Sequence, residues 1–217
     1  MNSALSIDLV VCTYNNASLL QRTLESIAQL KVPAHINWSV LVVNNNCTDD
    51  TASIVEYHMS KGVLPLRTIV ETTQGLTTAR VCGVCNTESD WIAFIDDDCL
   101  LATNWIEEAE RFITAHQDCG LFGGKIQLLW EKEPPSYVVH FPFAYAAKNH
   151  GDTAKRLKAV AGAGMVVKRK FLEQCGWTKE QFLADRVWNR LVSGGDMEIA
   201  LRVGAHCEVW YLSLIHI

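Results

Sequence analysis

The stretch Trp91-Ile92-Ala93-Phe94-Ile95-Asp96-Asp97-Asp98-Cys99 constrains this chain more than any other. Five uncharged residues run straight into three adjacent carboxylates. The apolar run is too short for a membrane span, is bounded in front by Ser89-Asp90, and predicts a buried strand of a parallel sheet. Its carboxyl end is where open α/β sheets place ligands. Three neighbouring carboxylates repel one another, and a hard divalent ion relieves that repulsion while sharing its other positions with water and substrate phosphates. The alternative is a solvated acidic turn. The strand in front favours the metal.

The rest of the chain repeats the same grammar. Ile7–Cys12 predicts a first strand ending in Thr13-Tyr14-Asn15-Asn16, and Ala17–Leu30 has helical apolar spacing with Asn16 or Ser18 as cap. Trp38–Val43 predicts a second strand ending in Asn44-Asn45-Asn46-Cys47-Thr48-Asp49-Asp50, before a helix from Thr51 to about Met59. Leu66–Val70 is a third strand, Thr77 to about Asn86 a helix with Arg80 in its first turn, and Asn104–His116 an amphipathic helix. Strand, polar loop and helix in alternation describe a right-handed parallel βαβ array whose polar loops meet at one sheet edge. Beyond it, Gly120–Trp130 reads as a strand with a glycine break and Glu131–His150 as a long loop. Ala161-Gly162-Ala163-Gly164 approaches another strand, and Lys168-Arg169-Lys170 starts a short helix whose basic residues read as solvated. Gly194-Gly195-Asp196-Met197-Glu198 opens a helix and Val209–Leu212 is a last strand. Asp196 and Glu198 suit a helix start electrostatically, and the two glycines argue for close approach to a ligand.

Composition narrows the partners. With 217 residues and half of them hydrophobic, the chain suits one α/β domain or two small ones, and a formal charge of −5 offers no broad footprint for nucleic acid. No stretch approaches a membrane span and no signal peptide opens the chain, so the expected setting is cytoplasmic, with peripheral association at the inner membrane face left open. Most of the eight cysteines sit in apolar periodic segments as small hydrophobes, and the unrepeated Cys82/Cys85 pair does not make a zinc site. Neither a Gly-x-Gly-x-x-Gly turn nor a Walker loop is present.

Five ordered pieces carry a resemblance: Val10–Asn15; Val42–Thr51; Gly75–Arg80; Phe94–Asp98; and Gly194–Glu198 with Arg202. Together, across essentially the whole chain, they resemble a family-2 glycosyltransferase of the GT-A fold. That resemblance implies an α/β, Rossmann-like, mostly parallel central sheet with helices on both faces. It implies a nucleotide-sugar-binding half over 1–118 and an acceptor-side half over 119–217. It also implies an inverting transfer from a UDP-, GDP- or dTDP-sugar to a glycan or lipid-linked acceptor, in polysaccharide or glycoconjugate synthesis. Thr13, Tyr14 and Asn15 would line the nucleotide pocket, Asn44 would face the base and Arg80 the base and diphosphate. Asp96 and Asp97 would contact the ribose and sugar end of the donor. Asp98 would be the chief ligand of Mn²⁺ or Mg²⁺ and Asp196 the general base. Gly162, Ala163, Gly164 and Glu198 would border the acceptor.

The sequence departs from the family pattern twice. Asn44 stands where an aspartate is usual and loses its charge assistance toward a base N–H. Ser213–Ile217 is expected to be a foreign tail on an incomplete C-terminus, and His216 is weighed as a metal ligand without being adopted. Two rivals remain. One is a truncated nucleotide-binding domain without catalysis. The other is a sugar-phosphate nucleotidyltransferase, which the absence of a glycine-rich basic loop after the first strand disfavours.

Overall fold

A computed structural model of the chain describes residues 5–183, 185 and 193–216. Its spine is an eight-stranded sheet. β1 (Ser6–Thr13), β2 (Asn37–Asn44), β3 (Leu66–Val70) and β4 (Trp91–Asp96) are followed by β5 (Cys119–Lys125), β6 (Lys155–Arg156), β7 (Met165–Lys168) and β8 (Glu208–His216). The order across the sheet is β3-β2-β1-β4-β7-β5-β8-β6. From β3 to β4 every pairing is parallel. Beyond β4 the pattern becomes mixed, because β7 runs antiparallel to both β4 and β5 while β8 lies parallel to β5.

The helices are α1 (Ala17–Ile27), α2 (Thr51–Lys61), α3 (Leu76–Cys85), α4 (Trp105–Ala115), α5 (Ser136–Val139), α6 (Arg169–Gln174) and α7 (Gly195–Gly204). Strand side chains alternate between the two sheet faces, and this period of two divides the core. Ile7, Leu9 and Val11 of β1 join Val40 and Val42 of β2 against α1, α2 and α4. Val10, Leu41, Val43, Ile92 and Phe94 turn to the other face, where α3, α6 and α7 cover them. In α1, Leu20, Leu24 and Ile27 are buried at helical spacing, each contributing roughly 1.5–3 kcal/mol relative to exposure.

Several elements differ from the sequence expectation. α1 stops at Ile27 rather than Leu30. Its start is not capped by the Asn16 side chain. Asp49 accepts the Ala17 N–H at 3.0 Å, so the next polar loop supplies the cap. β5 ends at Lys125, and the chain then leaves the sheet after pairing Ile126 with Lys148. The stretch expected to be one long loop holds α5 and a 3₁₀ turn over Pro142–Tyr145. β6 had no visible signal, being two residues long. Residues 213–216 continue β8, and the buried Ser213 hydroxyl donates to the Asp152 carbonyl at 2.8 Å. The side chain of His216 lies outside the described residues. All eight cysteines are free.

Candidate active site

β1, β2 and β4 are parallel and in register, so Thr13, Asn44 and Asp96 end together at one edge. Their loops are tied to one another by side chains. Asn15, at φ 50°, accepts the Thr48 N–H at 2.7 Å, and its own N–H donates to the Cys47 sulfur at 3.3 Å. Asn16 donates to an Asp97 oxygen at 2.8 Å, and Thr23 of α1 donates to the Asp97 carbonyl at 2.9 Å. Asp97 therefore faces α1 and the first loop. Burial pushes its carboxyl up to about 6, against the pull of the Asn16 hydrogen bond. Thr13 is buried and Tyr14 is exposed.

Asn44 Oδ1 accepts the Cys47 N–H at 2.8 Å, which leaves its NH₂ as the group best placed to meet a base. Sequence reasoning passed over its neighbour. Asn45 is buried, donates to the carbonyls of Glu71 and Thr73, and accepts the Gly75 N–H at 2.9 Å. It shapes the loop that leads into α3. Two adjacent asparagines at a strand end carry no pattern that says which one turns inward.

Arg80 is not the surface residue a first-turn arginine would suggest. It is buried, lies over the Phe94 ring, and bonds Asp185 at 2.9 Å and Asp96 at 3.5 Å. Asp185 is the second residue that sequence reasoning missed. It also accepts the Gly195 N–H at 2.8 Å, and its own N–H donates to Thr77. A Cβ on Gly195 would lie 2.2 Å from an Asp185 oxygen. Gly195 thus makes its close approach to this carboxylate.

Asp196 stands at the start of α7, where Oδ2 accepts the Gly162 N–H at 3.0 Å and Oδ1 accepts the Met197 N–H at 2.8 Å. Gly162 is squeezed between catalytic candidates. A Cβ there would sit 2.6 Å from the Arg80 guanidinium and 3.2 Å from the Asp196 Cβ. The Gly164 N–H donates to the Phe94 carbonyl at 2.9 Å, holding the 162–164 turn, with Ala163, against the end of β4. Burial is the main cause raising the Asp96 carboxyl, Arg80 opposes it, and the charges of Asp98, Asp196 and Asp185 add to it. Through Arg80 and Gly162 these groups form one cluster.

Glu198 is buried and accepts the N–H groups of Phe182 and Leu183 and a 2.7 Å bond from Arg202. Burial would raise its carboxyl, yet these donors hold it below the usual range. Two residues after Asp196, helical geometry turns it to another side of α7.

Asp96, Asp98 and Cys99 place potential ligand atoms within 4.8 Å of one another. Asp98 is exposed, and among the described residues no cation pairs with it. Burial pushes the Cys99 thiol far above its ordinary value. The two carboxylates of the group are hard oxygen donors, which suit a cation such as Mg²⁺ or Mn²⁺.

The family model described as Glycosyl transferase family 2 matches residues 8–176. The chain belongs to that family. It is 30% identical over 105 residues to the succinoglycan biosynthesis protein ExoM of Rhizobium meliloti, covering 48% of this chain and 34% of that protein. It is 25% identical over 198 residues to the glycosyltransferase AglE of Haloferax volcanii, covering 88% and 59%. The chain thus spans between about a third and three fifths of these curated relatives. Among solved structures, S. aureus TarS 1-349 in complex with UDP-GlcNAc superposes with a TM-score of 0.74 at 17% identity, over 98% of this chain and 58% of that one. The mannosyltransferase PcManGT from Pyrobaculum calidifontis, in complex with GDP-Man and Mn²⁺, gives 0.67 at 20% identity, over 97% and 56%. The fold is that of GT-A glycosyltransferases. Asp185 and Asp196 lie beyond the matched residues, so their roles rest on the geometry above.

Proposed function

We propose that this chain is the catalytic domain of a metal-dependent, inverting glycosyltransferase. It would move a sugar from a nucleotide-diphosphate sugar to an acceptor hydroxyl. The observation that carries this reading is the cluster of Asp96, Asp98, Arg80 and Asp196, with Gly162 between the last two.

The residues divide by task. The three stapled loops at the ends of β1 and β2 and before α3 form the wall for the nucleotide. Asp98, with Asp96, would hold Mn²⁺ or Mg²⁺, which when bound supplies Lewis-acid neutralisation of a diphosphate leaving group. Arg80 adds a fixed positive charge in the same place, oriented by Asp185. Asp196 is held by one N–H on each oxygen, leaving further lone pairs free to accept a proton from the incoming hydroxyl. One base and no nucleophilic carboxylate correspond to a single displacement with inversion. The neighbours support the donor class, since TarS and PcManGT are described in complex with UDP-GlcNAc and GDP-Man. ExoM and TarS point to polysaccharide or glycoconjugate acceptors. No helix among the described residues is long and apolar enough to cross a membrane.

Asp196→Asn tests the assignment. Donor affinity, read by calorimetry with Mn²⁺, should be nearly unchanged, while transfer falls roughly 10²- to 10⁴-fold, the usual worth of a general base. A variant that transfers at the wild-type rate removes Asp196 from the chemistry.

A further inference from the structure

The segment between β5 and β7 carries an exposed apolar surface that the proposed reaction does not use. Trp130, Tyr137, Phe141, Phe143 and Tyr145 are 41%, 69%, 54%, 67% and 47% exposed. Four of them make two ring pairs: Trp130 packs edge-on to Tyr145 at 5.7 Å, and Phe141 to Phe143 at 6.2 Å. Single exposed apolar side chains are ordinary, but a cluster of this kind on a monomer marks a binding surface. The segment is anchored rather than loose. Ile126 and Lys148 exchange two backbone hydrogen bonds at its neck, and Arg22 of α1 pairs with Glu131 at 3.4 Å.

Its position matters. β5 is antiparallel to β7, and β7 to β4, so β5 runs with β4 and both end at the same edge. The aromatic segment leaves the sheet just beyond Lys125, on the edge that bears Asp96 and Asp98. Lys148, which closes the neck, is followed by Lys155 in β6 and by Lys158 just after it. Lys155 and Lys158 are exposed, and none of the three has an ion-pair partner among the described residues. Of the nearby acids, Glu131 pairs with Arg22 and Asp152 lies 4.0 Å from Lys125, while Glu133 is exposed beside Lys132.

We propose that the 129–145 aromatic patch and the lysines after it dock on an anionic phospholipid surface, which presents a lipid-linked acceptor to the candidate active site. The chemistry fits a bilayer better than the alternatives. Trp and Tyr place an apolar ring and a polar tip at the headgroup level, and Phe enters more deeply. Unpaired lysines attract anionic headgroups, whereas the cores of protein interfaces are depleted of lysine. Phe offers a glycan no hydrogen bond. The proposal rests on the glycosyltransferase reading for what the docking achieves, but not for the docking itself.

The experiment is flotation of the donor-free protein with phosphatidylcholine vesicles, with and without phosphatidylglycerol. Wild type should float with the anionic vesicles. Phe141→Asp with Phe143→Asp, both on exposed side chains, should reduce flotation about tenfold or more at unchanged Tm. Lys155→Gln and Lys158→Gln should each reduce it about fivefold. No flotation of the wild type, or equal flotation of the aspartate variant, overturns the proposal. So does a wild-type dimer that the aspartate variant disperses in the absence of vesicle binding, which would make the patch a self-association surface. UDP and GDP affinity measured without vesicles on the same preparations reports on the transferase reading separately, so either claim can fail alone.

Discussion

At the scale of single residues, the three aspartates after β4 look alike in sequence and differ in surroundings. Asp96 meets Arg80, Asp97 turns to Asn16 and α1, and Asp98 alone is exposed without a cation. Under the metal-dependent reading, Asp98→Ala should lower Mn²⁺-dependent affinity for UDP or GDP by more than the ~10- to 100-fold that loss of an outer-shell partner costs. The fold should hold, because β4 packs through Trp91–Ile95. Calorimetry with and without Mn²⁺ decides it, and unchanged metal-dependent affinity would mean that Asp98 is only a solvated turn residue. The aspartate run was legible because it interrupts an apolar strand. Asp185 was not, because it sits in a stretch with no period and its partners lie 105 residues back in α3 and 10 residues on in α7. The charge of Arg80 was legible, but its burial was not, since burial depends on Asp185.

At the scale of elements, the strands from β1 to β4 and the helices between them follow from apolar period and loop chemistry, and their expected limits hold to within a few residues. The second half was harder to read because its elements are stabilised by distant pairings. β6 exists only through β8, and α7 is fixed by what its first turn bonds. Glu198 links α7 to residues 182 and 183 and to Arg202, which in turn donates to the carbonyls of Glu180 and Cys175. Glu198→Gln would place an amide NH₂ among N–H donors. It should cost about 2 kcal/mol of unfolding free energy, discounted from the 3–5 typical of a fully buried broken pair because Arg202 is partly exposed. Urea unfolding measures this. Transfer per folded molecule should change far less than in Asp196→Asn, and loss of transfer at an unchanged midpoint would instead give Glu198 a part in the chemistry.

At the scale of the whole molecule, one buried histidine tunes stability against pH. His58 of α2 is buried and its Nε2 has no hydrogen-bond partner. Burial lowers its pKa, with Glu25 opposing. The folded protein therefore holds fewer protons here than the unfolded chain near the ordinary value of about 6.5. Its contribution is fully present above that value and is lost as pH falls through it. His58→Leu should flatten the decline in Tm between about pH 7 and 5, and parallel Tm curves for the two proteins would show that His58 does not titrate differently on folding. The mixed far half of the sheet has a consequence for how the chain is made. β5 is bordered by β7 on one side and by β8 on the other, and β8 is separated from it by more than eighty residues. Until β8 arrives, a growing chain presents β5 as an unpaired, apolar edge, the kind of template on which nascent proteins aggregate. The half of the sheet from β3 to β4 can be complete by then. The half around β5 waits for β8, which makes its closure a slow, long-range step of folding and the natural place for a chaperone to act.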